Sequence, residues 1–403
     1  MQFGSQQEQN RTIGVIAVVT LLLFIGGYFI AEMTPWLMGP QASTQANVVD
    51  GLLYTMMYIG GMVFLLVQGL ILWAVIFYRR RAGDNADGPN VHGNNALEFI
   101  WTLIPSIVVF VLTIYSYQVY IVSRAPQDNE LIVDVIAQRY AFGFSYYDEA
   151  TETVVNDSVL RTYVEMDEDG EVLATRPVRL QMEANDVIHS MWIPSMRVKQ
   201  DMLPGRSTEL RFTPTLPGRY PVVCTELCGG GHGGMRAEIL VYPSEESYME
   251  WFDTRVDCEV NPPEDPVVRG RQLLDNNAGW GCSGCHVLDD LGWVGQVGPA
   301  LNGIGDRATA RAAAAGNEDG YVYLYESIEN SGAYIVPGYP AGVMPQWEVS
   351  WTASMTEDDI GAITSYLLTQ GAAATAPAAP ACPTPEFDDV MSAYNGTVEV
   401  AAR

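Results

Sequence analysis

Three apolar stretches, 13–30, 52–78 and 96–121, constrain this chain more than anything else in it. Each is long enough to cross the hydrocarbon core of a bilayer as a helix. In lipid every backbone polar group must find its partner inside the segment, so helices are the expected form. The first stretch follows Arg11 and carries no charge. Gly39-Pro-Gln-Ala-Ser43 is a poor cleavage signature, so a retained anchor is expected over a removed signal peptide. Arg79-Arg80-Arg81 closes the second stretch, which places the following loop, 82–95, in the cytoplasm and everything after about residue 123 outside. The third stretch opens on Glu98 and contains Pro105; an acid at the edge of a span is a proton-path candidate, and a snorkelling side chain is the plainer reading. His92, in the cytoplasmic loop, reads as an ordinary loop histidine.

From Glu130 the periodicity changes. Leu131-Ile-Val-Asp-Val-Ile136 and Tyr140-Ala-Phe-Gly-Phe-Ser-Tyr146 alternate as strands do, and further short strands follow near 178–182, 208–212, 220–223 and 237–241 with Pro and Gly turns between them. Such a series predicts an all-β Greek-key sandwich. The formal charge of −27, with Lys199 the only lysine, argues against nucleic acid as a partner.

The chemistry is concentrated in Cys224-Thr-Glu-Leu-Cys-Gly-Gly-Gly-His-Gly-Gly-Met235. Two thiols, an imidazole and a thioether on one Gly-rich turn are soft ligands, suited to copper, zinc or an iron–sulfur cluster. A single electron-transfer copper needs one Cys, so the second thiol asks for a second metal. The other imidazole is expected from His189 in Asn185-Asp-Val-Ile-His189. A structural zinc held by Cys224, Cys228, His232 and His189 is the competing reading. The stretch from His189 to Met235, with Val198-Lys-Gln-Asp-Met-Leu-Pro-Gly205 and Pro217-Gly-Arg-Tyr220 between, resembles the CuA domain of subunit II of haem–copper cytochrome c oxidases. The resemblance implies a cupredoxin-like fold and a dinuclear copper held by His189, Cys224, Cys228, His232 and Met235, with the carbonyl of Glu226. It also implies magnesium at the Glu226 carboxylate. Leu97-Glu-Phe-Ile-Trp-Thr-Leu-Ile-Pro105 is similar to that family's second core helix, whose Glu lies at the mouth of a proton channel. Where the family has a Trp that admits electrons to copper, this chain has Tyr140, followed by Phe142 and Phe144. The departure leaves two readings, an electron entry at Tyr140 or a plain core stripe.

Beyond the polar Asp257-Cys-Glu-Val-Asn-Pro-Pro-Glu-Asp-Pro266, a predicted helix leads into Cys282-Ser-Gly-Cys-His286. CxxCH is the c-type haem attachment motif: two thiols for the vinyl groups and an imidazole for the iron. Gly298-Pro-Ala-Leu301, Met344-Pro345 and a helix near 356–369 follow, so the segment resembles a small all-α cytochrome c with Met344 as distal ligand and Met355 as a weaker choice. The two remaining thiols, Cys258 and Cys382, form a disulfide or stay free; an exported domain permits either. Gly371 to Ala381 is low-complexity and expected to be extended, and Asn395-Gly-Thr397 matches a glycan acceptor.

The expected organisation is multi-domain: an anchor segment over 1–47, a transmembrane hairpin over 48–125, the copper domain over 126–245, a linker over 246–265, the cytochrome over 266–371 and an Ala/Pro-rich tail over 372–403. With the resemblance, this implies subunit II of a prokaryotic cytochrome c oxidase in the cell membrane, passing electrons from a fused haem c through copper to subunit I. Subunit III, membrane lipids and an external electron donor are the other expected partners. A nitric oxide reductase subunit and a membrane-tethered electron carrier are the alternatives.

Overall fold

The computed structural model describes residues 6–79, 83, 93–167, 170–276, 281–344, 355–371, 382 and 384–394. His92, the segment 372–381 and the Asn395 sequon lie outside these residues. The chain divides into two units, 1–40 with 45–125, and 41–44 with 126–403.

The first unit is helical: α1 (Gln6–Ala31), the short α2 (Thr34–Met38), α3 (Thr44–Phe77) and α4 (Asn95–Arg124). Among the described residues, three helices are long and apolar enough to cross a membrane. Their large side chains, among them Phe29, Phe77 and Phe110, face outward, as lipid-facing residues should. Hydroxyls on α4 are satisfied within the helix: Thr102, Ser106 and Thr113 each donate to the carbonyl four residues earlier, at 2.7–2.9 Å. Glu98 sits at the start of α4, where its carboxylate accepts the Asn94 N–H at 3.1 Å while the Asn94 side chain accepts from Leu97. That accounts for Glu98 locally as a helix-start residue, where an acid complements the free N–H groups.

The second unit opens with a sandwich of eleven strands: β1 (Leu131–Gln138), β2 (Ala141–Asp148), β3 (Thr153–Asp157), β4 (Leu160–Met166), β5 (Val172–Thr175), β6 (Val178–Ala184), β7 (His189–Ile193), β8 (Val198–Met202), β9 (Thr208–Phe212), β10 (Gly218–Cys224) and β11 (Arg236–Tyr242). One sheet runs β3-β2-β1-β6-β9 and the other β5-β4-β11-β10-β7-β8. Most neighbours are antiparallel, but β1 pairs in parallel with β6 and β4 with β11. Alternation on β1 buries Val133, Val135 and Ala137. Phe142, Phe144 and Tyr146 of β2 are core residues, which settles the aromatic strand after Tyr140 as packing.

Residues 246–265, expected to be a linker, contain instead a helix, α5 (Glu245–Val260). Ser244 caps it and two acids occupy its first turn, both favourable at a helix N-terminus. Trp251 is fully buried against the sandwich, beneath the guanidinium of Arg161 at 4.8 Å from the ring centre. Composition hid this helix because its few apolar residues are concentrated on one contact. Cys258, near its end, is disulfide-bonded to Cys382 across a separation of 124 residues.

The haem-motif segment is built from α6 (Pro266–Asn276), α7 (Cys282–Cys285), α8 (Ile304–Ala315), α9 (Gly320–Glu329) and α10 (Glu357–Leu368). A final helix, α11 (Phe387–Ala393), returns Phe387 to the sandwich against Tyr242, ring centres 5.1 Å apart. Helices α6 and α10 cross at Gly270, where any side chain would run into the carbonyl of Ala362, and Arg269 pairs with Asp359 at 2.7 Å beside the crossing. Gly270→Ala should therefore force the helices apart and destabilise this domain by roughly 1–3 kcal/mol. Thermal unfolding of the intact chain, followed by circular dichroism, measures it.

Candidate metal and haem sites

His189 begins β7 and Cys224 ends β10, and these strands are paired, so the sheet itself brings imidazole and thiol to one end of the sandwich. The turn after β10 folds back through a short 3₁₀ segment at His232–Gly234, which returns Met235 beside Cys228. Cys224 Sγ lies 3.9 Å from Cys228 Sγ and 3.9 Å from His189 Nδ1. Cys228 Sγ lies 3.5 Å from His232 Nδ1 and 3.8 Å from Met235 Sδ. The Glu226 carbonyl oxygen stands 3.4 Å from Cys224 Sγ. Each of the other four expected donors thus lies within 4 Å of one of the two cysteine sulfurs. Two thiols, two imidazoles, a thioether and a carbonyl exceed the four donors a tetrahedral zinc uses and would suit a copper pair. Bulk around the site is excluded by glycine: a side-chain carbon at Gly229 (φ +139°) would stand 2.5 Å from the Tyr140 hydroxyl, and one at Gly231 2.6 Å from its ring.

Electrostatics prepare the site. His189 is fully buried, and its Nε2 meets Asp186 Oδ1 at 2.8 Å, which turns Nδ1 toward the thiols. Asp186 Oδ2 in turn accepts from both the backbone N–H and the Nε of Arg139, at 3.0 and 2.9 Å. Burial pushes the Asp186 carboxyl up, but hydrogen bonds from His189 and Arg139 outweigh it and hold the group well below the usual range. Burial likewise raises the Cys224 thiol, yet hydrogen bonding to His189 and nearby backbone groups brings it down to about 6. Burial pushes Cys228 up and its neighbour Cys224 adds to this, to about 12. Sequence reasoning missed Asp186 and Arg139; the only linear signal is an acid three residues before His189. Glu226 is exposed, and among the described residues the clustered metal-binding side chains are His189, Cys224 and Cys228, which lends the expected magnesium no support.

In the following segment, Cys282, Cys285 and His286 line an apolar cavity together with Leu301, Ile304, Tyr323, Met344 and Met355. His286 is buried, and its Nδ1 lies 2.7 Å from the Pro299 carbonyl, an arrangement that fixes Nδ1 as the donor and leaves Nε2 for a metal. Burial lowers its pKa, keeping the ring neutral as an iron ligand must be. Apolar walls, two thiols and an oriented imidazole fit a covalently held haem. Met344 and Met355 both reach the wall, Met344 partly exposed and Met355 buried.

Tyr140, buried between β1 and β2, touches both sites. Its ring packs on the copper turn, its backbone hydrogen-bonds to the Cys285 sulfur, and a side-chain carbon at Gly284 would stand 2.5 Å from its carbonyl oxygen.

Comparison with known proteins agrees with this division. The family models for the transmembrane and periplasmic domains of cytochrome c oxidase subunit II match residues 31–119 and 137–241, and the cytochrome c family model matches 267–371. Cytochrome c oxidase subunit 2 of Synechocystis is 36% identical over 288 residues, covering 58% of this chain and 81% of the relative. The Thermostichus vulcanus protein of the same name is 34% identical over 65% of this chain and 89% of its own. That of Alkalihalophilus pseudofirmus is 27% identical but extends over 82% of this chain and 88% of its own.

The two loop thiols should titrate far apart in copper-free protein with its haem attached. Thiolate ultraviolet absorbance should gain one equivalent below the ordinary thiol range, as Cys224 ionises, and the second only above it. Cys224→Ser should remove the first step.

Proposed function

Because the chain belongs to the cytochrome c oxidase subunit II family, with a cytochrome c domain behind its copper domain, we propose that it passes electrons from a fused haem c to a dinuclear CuA centre. From there they go on to the oxygen-reducing core. As a subunit II it works against the haem–copper core subunit, and the oxidoreductase activity belongs to the complex. Copper and haem, when bound, supply one-electron redox chemistry; the residues of this chain supply ligands, orientation and contact. His189, Cys224, Cys228, His232, Met235 and the Glu226 carbonyl hold the copper pair. Cys282 and Cys285 would carry the haem, and His286 and Met344 would supply ligands to its iron.

The observation that carries the reading is the position of Tyr140. Counted from the haem side, the Cys285 sulfur meets the Tyr140 backbone, and the Tyr140 ring meets Gly229, which is bonded to Cys228. A path from haem to copper therefore crosses one residue, in the place where the family has an electron-admitting Trp. Tethering also replaces a bimolecular encounter with an effective concentration in about the millimolar range. Loss of the Trp is tolerable on this reading, since an outside cytochrome need not dock on the copper domain.

Beside the ligands, Ile188 and Leu227 keep apolar side chains exposed, 45% and 79%, at the rim of the copper turn. This rim is where we place the contact with the core subunit, with the copper and haem domains on the outer face of a prokaryotic cell membrane. Glu98 then lies at the cytoplasmic edge of α4, as the mouth of a proton path in the core subunit requires. Proton translocation, a subunit III and an external donor to the haem complete the proposed complex. A Glu98→Gln variant that loses proton uptake while retaining its CuA spectrum would support that role.

The purified chain should hold two coppers sharing one unpaired electron, seen by electron paramagnetic resonance, and one covalent haem. In the complex, Tyr140→Ala should slow haem-to-copper transfer by tenfold or more in flash kinetics, whereas Tyr140→Phe should retain most of it. One zinc and no copper would overturn the reading. Consumption of nitric oxide in place of oxygen would move the chain to the nitric oxide reductases.

A further inference from the structure

Arg139 stands at the rim of the haem cavity, on the sandwich side, although it belongs to the copper domain. The same guanidinium donates its Nε–H to Asp186 Oδ2 at 2.9 Å, while the other oxygen of that carboxylate holds His189 Nε2 at 2.8 Å. The Asp186 carboxylate has no slack, because Oδ2 also accepts the Arg139 backbone N–H at 3.0 Å and Oδ1 the Val187 N–H at 2.8 Å. A continuous chain of charged hydrogen bonds thus runs from the cavity rim to a buried copper ligand. The Arg139 side chain is 48% exposed, and an ion pair this open adds little to stability. Its distinguishing property is direction: a planar fork whose one edge is committed to the carboxylate and whose remaining N–H groups are available to the cavity.

We propose that Arg139 is a positioning residue shared by the two redox sites, holding Asp186 and hence His189 in place while presenting a fixed positive charge to the haem. The proposal rests on the reading of the cavity as a haem site and the turn as a copper site. Outer-layer partners of ligand histidines typically affect affinity or activity by roughly 10–100-fold when removed, because they set ring orientation. Here one such partner also faces the second cofactor, so a change at Arg139 must be felt at both.

The test uses the full chain in its complex with copper and haem loaded. Arg139→Gln removes the charge but keeps the backbone N–H to Asp186, so both cofactors should remain. The haem midpoint potential should fall, since the ferric state loses a repelling charge. The copper hyperfine pattern should shift, since His189 loses part of its support, and haem-to-copper transfer should slow roughly 10–100-fold. Arg139→Lys should return the haem potential toward wild type while leaving the copper spectrum displaced, because a single ammonium cannot reproduce the fork. It also carries the test if the glutamine variant does not assemble. Both signatures unchanged in cofactor-replete Arg139→Gln would overturn the proposal, and so would a shift confined to one cofactor. A wild-type chain lacking copper or haem would instead overturn the reading beneath it.

Discussion

Two buried sulfur atoms 3.9 Å apart do not readily both carry charge unless a cation lies between them. The rest of the copper domain is arranged to keep them there regardless. Paired strands fix one sulfur, a glycine-lined turn brings round the other, and a hydrogen-bonded imidazole favours ionisation of the first. Ionisation of Cys224 therefore holds the Cys228 proton on, and a bound cation is what would let the second thiol give it up. Metal affinity and the geometry of the sandwich are for this reason the same property.

Much of this was legible in the residues because ligands that share a turn also share a sequence window. Cys224 to Met235 and Cys282 to His286 mark themselves by spacing as metal or haem motifs, which the family resemblance then narrowed, and the membrane helices are marked by length. His189 was reachable only through the resemblance to a known arrangement, since 35 residues separate it from Cys224 and pairing of β7 with β10 closes the gap. The roles of Asp186 and Arg139 left almost no trace, because they act through hydrogen bonds created by tertiary packing. Helix α5 was misread for a related reason: a strongly acidic surface concealed the few large side chains that bury it.

The turn between β1 and β2 has an unusual concentration of duties. Residues 138–141 close the β1–β2 hairpin, support the turn after β10 with an aromatic ring, touch helix α7 through the backbone and place a cation at a cavity rim. A solvent-filled gap between the domains would have required each cofactor to be tuned separately. Direct contact instead puts one short segment against both sites, so that a substitution there meets the surroundings of each.

The disulfide between Cys258 and Cys382 gives the cytochrome segment a second covalent attachment. Everything between them forms a closed ring hung from the end of α5. A protease that cuts the ring once produces two polypeptides but releases nothing, because both new ends remain bonded to the same anchor. Escape of the haem domain needs two events, a cut and a reduction, or two cuts. A single cut anywhere in the ring therefore leaves the cytochrome c domain attached to the chain that carries it.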